Sequence, residues 1–97
     1  MNTGIIRQAI QNIVLPMPTG HVFDSHFVIA YLIKKETDSY LRFIASFDEN
    51  TVTANMVHGF IAQQIGNCND LVVQENNQAY SENIHGDLSP CALWRRL

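Results

Sequence analysis

Apolar positions recur at helical spacing through the first two-thirds of the chain. Ile5, Ile6, Ala9, Ile10, Ile13 and Val14 fall at i, i+1, i+4, i+5, i+8 and i+9, which is one stripe of an α-helix. Arg7, Gln8, Gln11 and Asn12 occupy the opposite face. Thr3 supplies a candidate N-cap, and Pro16 with Pro18 forbids continuation. Residues 16–20 then read as a stiff connector and residues 21–23 as a short sheet-edge strand. Asp24 or Ser25 starts a second helix, since either side chain can accept a bond from the unpaired amides of a first turn. Residues 27–33 are almost wholly apolar, which predicts a helix buried on most sides, with Lys34 and Lys35 in the last turn where cations favour the helix dipole.

Glu36, Thr37 and Asp38 break that pattern. Tyr40, Leu41, Ile44 and Phe47 follow at i, i+1, i+4 and i+7, the spacing of a third, short amphipathic helix. Residues 48–50 form a polar turn. Thr51 or Thr53 caps a fourth helix with the apolar set Met56, Val57, Phe60, Ile61 and Ile65, and Gly66 stands where a left-handed C-terminal cap is wanted. Beyond it the period changes. Residues 71–75 are strand-like, Asn76, Asn77 and Gln78 form a turn, and residues 79–84 return as a second strand. A further turn at residues 85–87 precedes a last short strand at residues 91–94. The fold class is therefore α+β: a helical N-terminal two-thirds of about four helices with a C-terminal β-hairpin or small antiparallel sheet.

With 97 residues and 46% apolar composition, one domain spanning residues 1–97 is expected. Only 15% of residues are charged, which argues against disorder and suggests that some surface is meant to be covered. No apolar stretch is long enough to cross a bilayer, and the N-terminus lacks the pattern of a cleaved leader, so a cytoplasmic protein without membrane partners is expected. Cys68 and Cys91 show no metal or redox spacing and read as free thiols packed as small hydrophobes. The net charge of −3, with six basic side chains, weighs against nucleic acid, because phosphate contacts supply most non-specific affinity.

The order helix, short strand at residues 20–23, helices and hairpin resembles the winged-helix superfamily. The likeness is one of topology and spans about residues 3–84. Residues 38–47 and 53–65, joined by residues 48–52, look like a helix-turn-helix. The resemblance implies a DNA-binding or regulatory domain, a homodimer, whose later helix enters the major groove while the wing touches the backbone. Carried over by position, the DNA-contacting candidates are Thr53, Asn55, His58, Gln63 and Gln64, with the wing at Asn76, Asn77 and Gln78. At the C-terminus Trp94 reads first as closing the core with the two arginines solvated; the sharper alternative makes Arg95 and Arg96 a local positive patch and Trp94 with Arg95 a candidate protein interface, since Trp and Arg are enriched among interface anchors. The sequence departs from that pattern in carrying no Lys or Arg between residues 51 and 67 and a neutral, amide-rich wing. Those departures favour an alternative: a small acidic protein-binding module, an adaptor or an inhibitor from a mobile element, with no DNA binding.

Little in the sequence points to catalysis. His21, His26, His58 and His85 lack the tight paired spacing of zinc ligands, so neither a metal nor a cofactor is expected. Asp24, Ser25 and His26 are adjacent, but a triad is assembled in space and the first two are explained as caps. The five glycines are isolated and form no phosphate loop. No residue is singled out as catalytic, and an enzyme is not expected.

Overall fold

The structure, a computed structural model, describes residues 3–47 and 53–97, with the backbone alone at Asn77. The helix α1 spans Thr3–Val14 and buries Ile6, Ala9, Ile10, Ile13 and Val14, the stripe set out by the sequence, with Ile5 at its margin. Thr3 is its first helical residue. After the proline connector, Gly20 adopts φ +87°, and its amide donates to the carbonyl of Arg96, so the connector is tied to the far end of the chain. Strand β1, Val22–Asp24, follows, and α2 spans Ser25–Lys35. Asp24 caps α2, its carboxylate accepting from the Phe27 amide at 2.7 Å.

Two apolar patterns resolve differently from the sequence reading. In α2 only Val28, Ile29 and Leu32 of the run from 27 to 33 are fully buried, while Phe27 and Tyr31 lie exposed against each other, ring centroids 5.7 Å apart. The helix is thus buried on one side, not on most. Helix α3, Thr37–Ala45, turns Phe43 into the core with Tyr40 and Phe47 packed beside it, leaving Leu41 and Ile44 exposed. The inward stripe is the aromatic 40/43/47 spacing: Phe43 meets Phe47 edge-on at 5.0 Å, and Phe47 stacks on Phe60 at 5.5 Å. The expected turn at residues 48–50, the alternative cap Thr51 and the joint of the helix-turn-helix at residues 48–52 lie outside the described residues.

Helix α4 spans Ala54–Asn67 with Thr53 as its cap, the hydroxyl accepting from the Met56 amide at 3.3 Å. It buries Val57, Ile61, Gln64 and Ile65, whereas Met56, assigned to its apolar set, is exposed. Gly66 is not the left-handed terminator. The helix continues through it, and a Cβ there would come within 3.2 Å of the Trp94 ring. Its lack of a side chain serves the close approach of α4 to the sheet.

The C-terminal strands are longer than expected. β2 spans Val72–Glu82 and β3 spans Leu88–Arg96, and the described strands form a three-stranded antiparallel sheet in the order β1-β3-β2. The turn assigned to residues 76–78 is an irregularity within β2: the register shifts between Gln74 and Asn76 and again between Asn76 and Ala79, with the Asn76 carboxamide accepting from the Gln78 amide. The chain reverses at residues 83–87, which takes in the further turn expected at residues 85–87. There Asn83 Oδ1 accepts from the amides of His85 and Asp87, and Gly86 supplies φ +83°. Residues 79–82 consequently pair with 88–91, not with 71–75.

Trp94, in the central strand, is 5% exposed and joins the core shared by the helices and the sheet. Its indole N–H donates to Ser25 Oγ at 2.9 Å, and that hydroxyl lies 3.5 Å from the Ala92 carbonyl. A buried serine and a buried indole thereby satisfy each other.

Candidate functional site

Where the start of α2, the first half of α4 and the hairpin converge, they enclose a cavity of about 370 Å³. Three imidazoles line it, one from each element: His26 in the first turn of α2, His58 on α4 and His85 in the turn. Asn55, Asn83, Ser89 and Cys91 add polar or nucleophilic groups, and Ile29, Ile84 and Ala92 form apolar wall. No Asp, Glu, Lys or Arg is among the lining residues.

The strand register explains how these residues meet. Ser81 pairs with Ser89 and Ala79 with Cys91, and alternation along a strand sends these four to one face. That face meets His26, whose Nδ1 lies 2.7 Å from Ser81 Oγ and whose Nε2 lies 3.3 Å from Ser89 Oγ. The chain of contacts extends from Asn83 Nδ2, donating to Ser89 Oγ at 3.3 Å, to Cys91 Sγ, 3.6 Å from Ser81 Oγ. His26 thus ties α2 to both strands of the hairpin arm. Across the cavity, His58 Nε2 and Tyr40 Oη are 2.9 Å apart. Burial lowers the His58 pKa from its ordinary value, and the imidazoles of His85 and His26 lower it further when charged. Burial likewise raises the Tyr40 hydroxyl.

The DNA-contacting candidates do not form one surface. Thr53 spends its hydroxyl on capping α4. Asn55 and His58 line the cavity, and Gln63 is exposed. Gln64 is 7% exposed, its side-chain oxygen accepting from Arg7 Nη2 at 3.1 Å, so it is not available to a groove. Arg95 is ion-paired with Glu75 on the neighbouring strand. Arg96 donates through Nε to the Val14 carbonyl at 3.2 Å and through Nη1 to the Leu97 carbonyl at 2.6 Å, closing the end of α1 against the sheet. Trp94 is inside the core and cannot anchor a partner without unfolding. At the assigned wing, Asn76 and Gln78 are bonded to each other within β2.

His26, Asn83, His85, Ser89 and Cys91 emerge only with the fold. Their signal in the sequence was the run from Ser81 to Asp87, whose Asn83 and Gly86 mark a tight turn. The sequence places a turn at residues 85–87 but starts the next strand at residue 91, so the pairing of Ser81 with Ser89 does not show there. Among the described residues no group of three or more His, Cys, Asp or Glu is disposed to hold a metal ion. Both cysteines are free thiols; Cys68 is buried, its Sγ 3.4 Å from the Gln64 carbonyl, and burial raises its pKa.

Comparison with protein-family models, with curated proteins and with solved structures finds no match.

Proposed function

We propose that this chain is a winged-helix-like recognition module whose partner is a protein, engaged through the outer face of the hairpin arm. The element order and the sheet order β1-β3-β2 support the winged-helix-like scaffold. The observation that carries the choice of partner is chemical. No Lys or Arg occurs between Arg42 and Arg95, so α4 and both strands of the arm present no cation to a phosphate backbone until the last residues of β3. The same arm exposes Tyr80 at 65% and Leu88 at 73%, on the face opposite the one that carries Ser81 and Ser89. Isolated exposed apolar residues are ordinary; a large aromatic and an aliphatic on one face of the arm suit a protein contact.

The distribution of charge points the same way. Arg7 serves Gln64, Arg42 pairs with Asp38 on α3, Arg95 pairs with Glu75 and Arg96 holds backbone carbonyls. Lys34 and Lys35 are exposed at the end of α2. These cations are spread over α1, α2, α3 and β3; Arg7 meets α4 at Gln64, and α4 itself carries none. No helix among the described residues is long and apolar enough to cross a membrane. A cytoplasmic setting, which keeps thiols reduced, fits the two free cysteines.

Fluorescence anisotropy with duplex DNA, titrated from low to physiological salt, tests the choice of partner. This reading expects no binding that weakens steeply with salt; a steep salt dependence would establish the DNA alternative. Light scattering of wild type beside Tyr80→Ser/Leu88→Ser then distinguishes a second copy of the chain from a different protein. A dimer lost in the variant identifies self-association through the arm.

A further inference from the structure

We infer that the three-histidine cavity is a binding site for a small organic oxyanion, a carboxylate, sulfate or phosphate headgroup carried on a compact apolar body. This goes beyond the protein-recognition reading and does not depend on it. A volume of about 370 Å³ is at the lower end of small-molecule sites. It exceeds what a bare inorganic ion needs, and Ile29, Ile84 and Ala92 offer contact to an apolar body.

The polar lining selects the headgroup. His26, His58 and His85 bring up to three positive charges to one cavity with no carboxylate in its lining to balance them. Asp24 is engaged as the α2 cap, and neither Glu82 nor Asp87, which flank the turn, lines the cavity. The other ionisable groups facing the imidazoles are the Tyr40 hydroxyl from α3 and the Cys91 thiol from β3. The imidazoles of His85 and His26 oppose protonation of His58, adding to the effect of its burial. An anion reverses the sign of that interaction: protons are taken up as it binds, and its affinity rises as the imidazoles charge. His26 keeps both Ser81 and Ser89 as acceptors when protonated, so charging it breaks no bond. His58 has Nε2 on Tyr40, leaving Nδ1 as its second donor, and Asn55 adds a carboxamide. A transition metal would require the imidazoles closer together than the described residues hold them.

The probes are phenyl sulfate and inorganic sulfate, whose charges stay fixed between pH 6 and 8, with phenol as the neutral counterpart. Imidazole ¹⁵N shifts of the full chain are followed by NMR. Phenyl sulfate is expected to shift His58 and His85, to raise the His58 titration midpoint, and to bind about tenfold or more tightly at pH 6 than at pH 8, because binding is linked to uptake of a proton by an imidazole. Sulfate should do the same more weakly, and phenol should not. His85→Gln and, separately, His58→Gln should weaken binding at least tenfold, while His21→Gln, outside this cavity, should not. Binding that is independent of pH, equal binding of phenol, or equal response of His21 would overturn the proposal. Stoichiometric binding of Zn²⁺ to the three imidazoles with no response to either oxyanion would also overturn it, in favour of a metal site.

Discussion

Trp94 and Gly66 show how one contact governs two residues. Gly66 sits inside α4, where glycine is normally a liability, yet a methyl group there would meet the Trp94 ring at 3.2 Å. Trp94 cannot easily retreat, being buried and bonded to Ser25. Gly59, about two turns earlier, has open space around its Cβ position. Gly59→Ala should therefore stabilise by about 0.5–1 kcal/mol through helix propensity, whereas Gly66→Ala should lose that gain to the clash and show no increase in midpoint by urea unfolding. Trp94→Ala, which empties the space and strands Ser25, should cost about 3–5 kcal/mol in the same assay. The sequence showed both residues but not their meeting. Gly66 followed an apolar helical stripe and read as a terminator, and Trp94, beside two arginines, read more readily as core than as surface anchor.

At the level of elements, the helices were legible because caps and breakers agreed with periodicity. Pro16 and Pro18 end the first helical pattern, and Asp24 and Thr53 both cap as their side-chain chemistry indicates. Asp24→Ala and Thr53→Ala should each lower stability by about 1 kcal/mol. The former should cost more, because its acceptor is charged, faces the positive end of a helix and lies at 2.7 Å against 3.3 Å. The hairpin was less legible. Asn76, Asn77 and Gln78 carry turn chemistry, but the strand absorbs them as a bulge because Val72, Val73 and Gln74 on one side and residues 79–82 on the other both pair with β3. That partner strand is distant in sequence, and local patterns do not report it. The cavity was lost with it, since His26, Ser81, Ser89 and Cys91 converge only when the arm folds back at residues 83–87.

For the whole molecule, three ionisable groups set the pH range of stability. His58 has its pKa lowered by burial and by its neighbouring imidazoles, so below its ordinary value of 6.5 the unfolded chain binds protons more readily and stability falls with acid. Cys68 has its pKa raised, mainly by burial, so above its ordinary value of 9.0 the unfolded chain releases a proton that the folded chain retains, and stability falls with alkali. Tyr40 adds to that decline above 10.0. The midpoint of thermal unfolding should thus be highest between about 6.5 and 9, with the acid limb flattened in His58→Gln and the alkaline limb in Cys68→Ala.

The scaffold and its use separate at this scale too. The helices and the antiparallel sheet form an α+β fold, and the basic side chains stand on α1, α2, α3 and β3. Photo-crosslinking from a benzoylphenylalanine placed at Leu88, in the cells that make the protein, addresses the proposed use most directly. The account predicts a discrete crosslinked polypeptide, either a second copy or a single distinct protein, that disappears when Tyr80→Ser is added without a change in thermal midpoint. Crosslinks to nucleic acid, or polypeptide crosslinks unaffected by Tyr80→Ser, would contradict it.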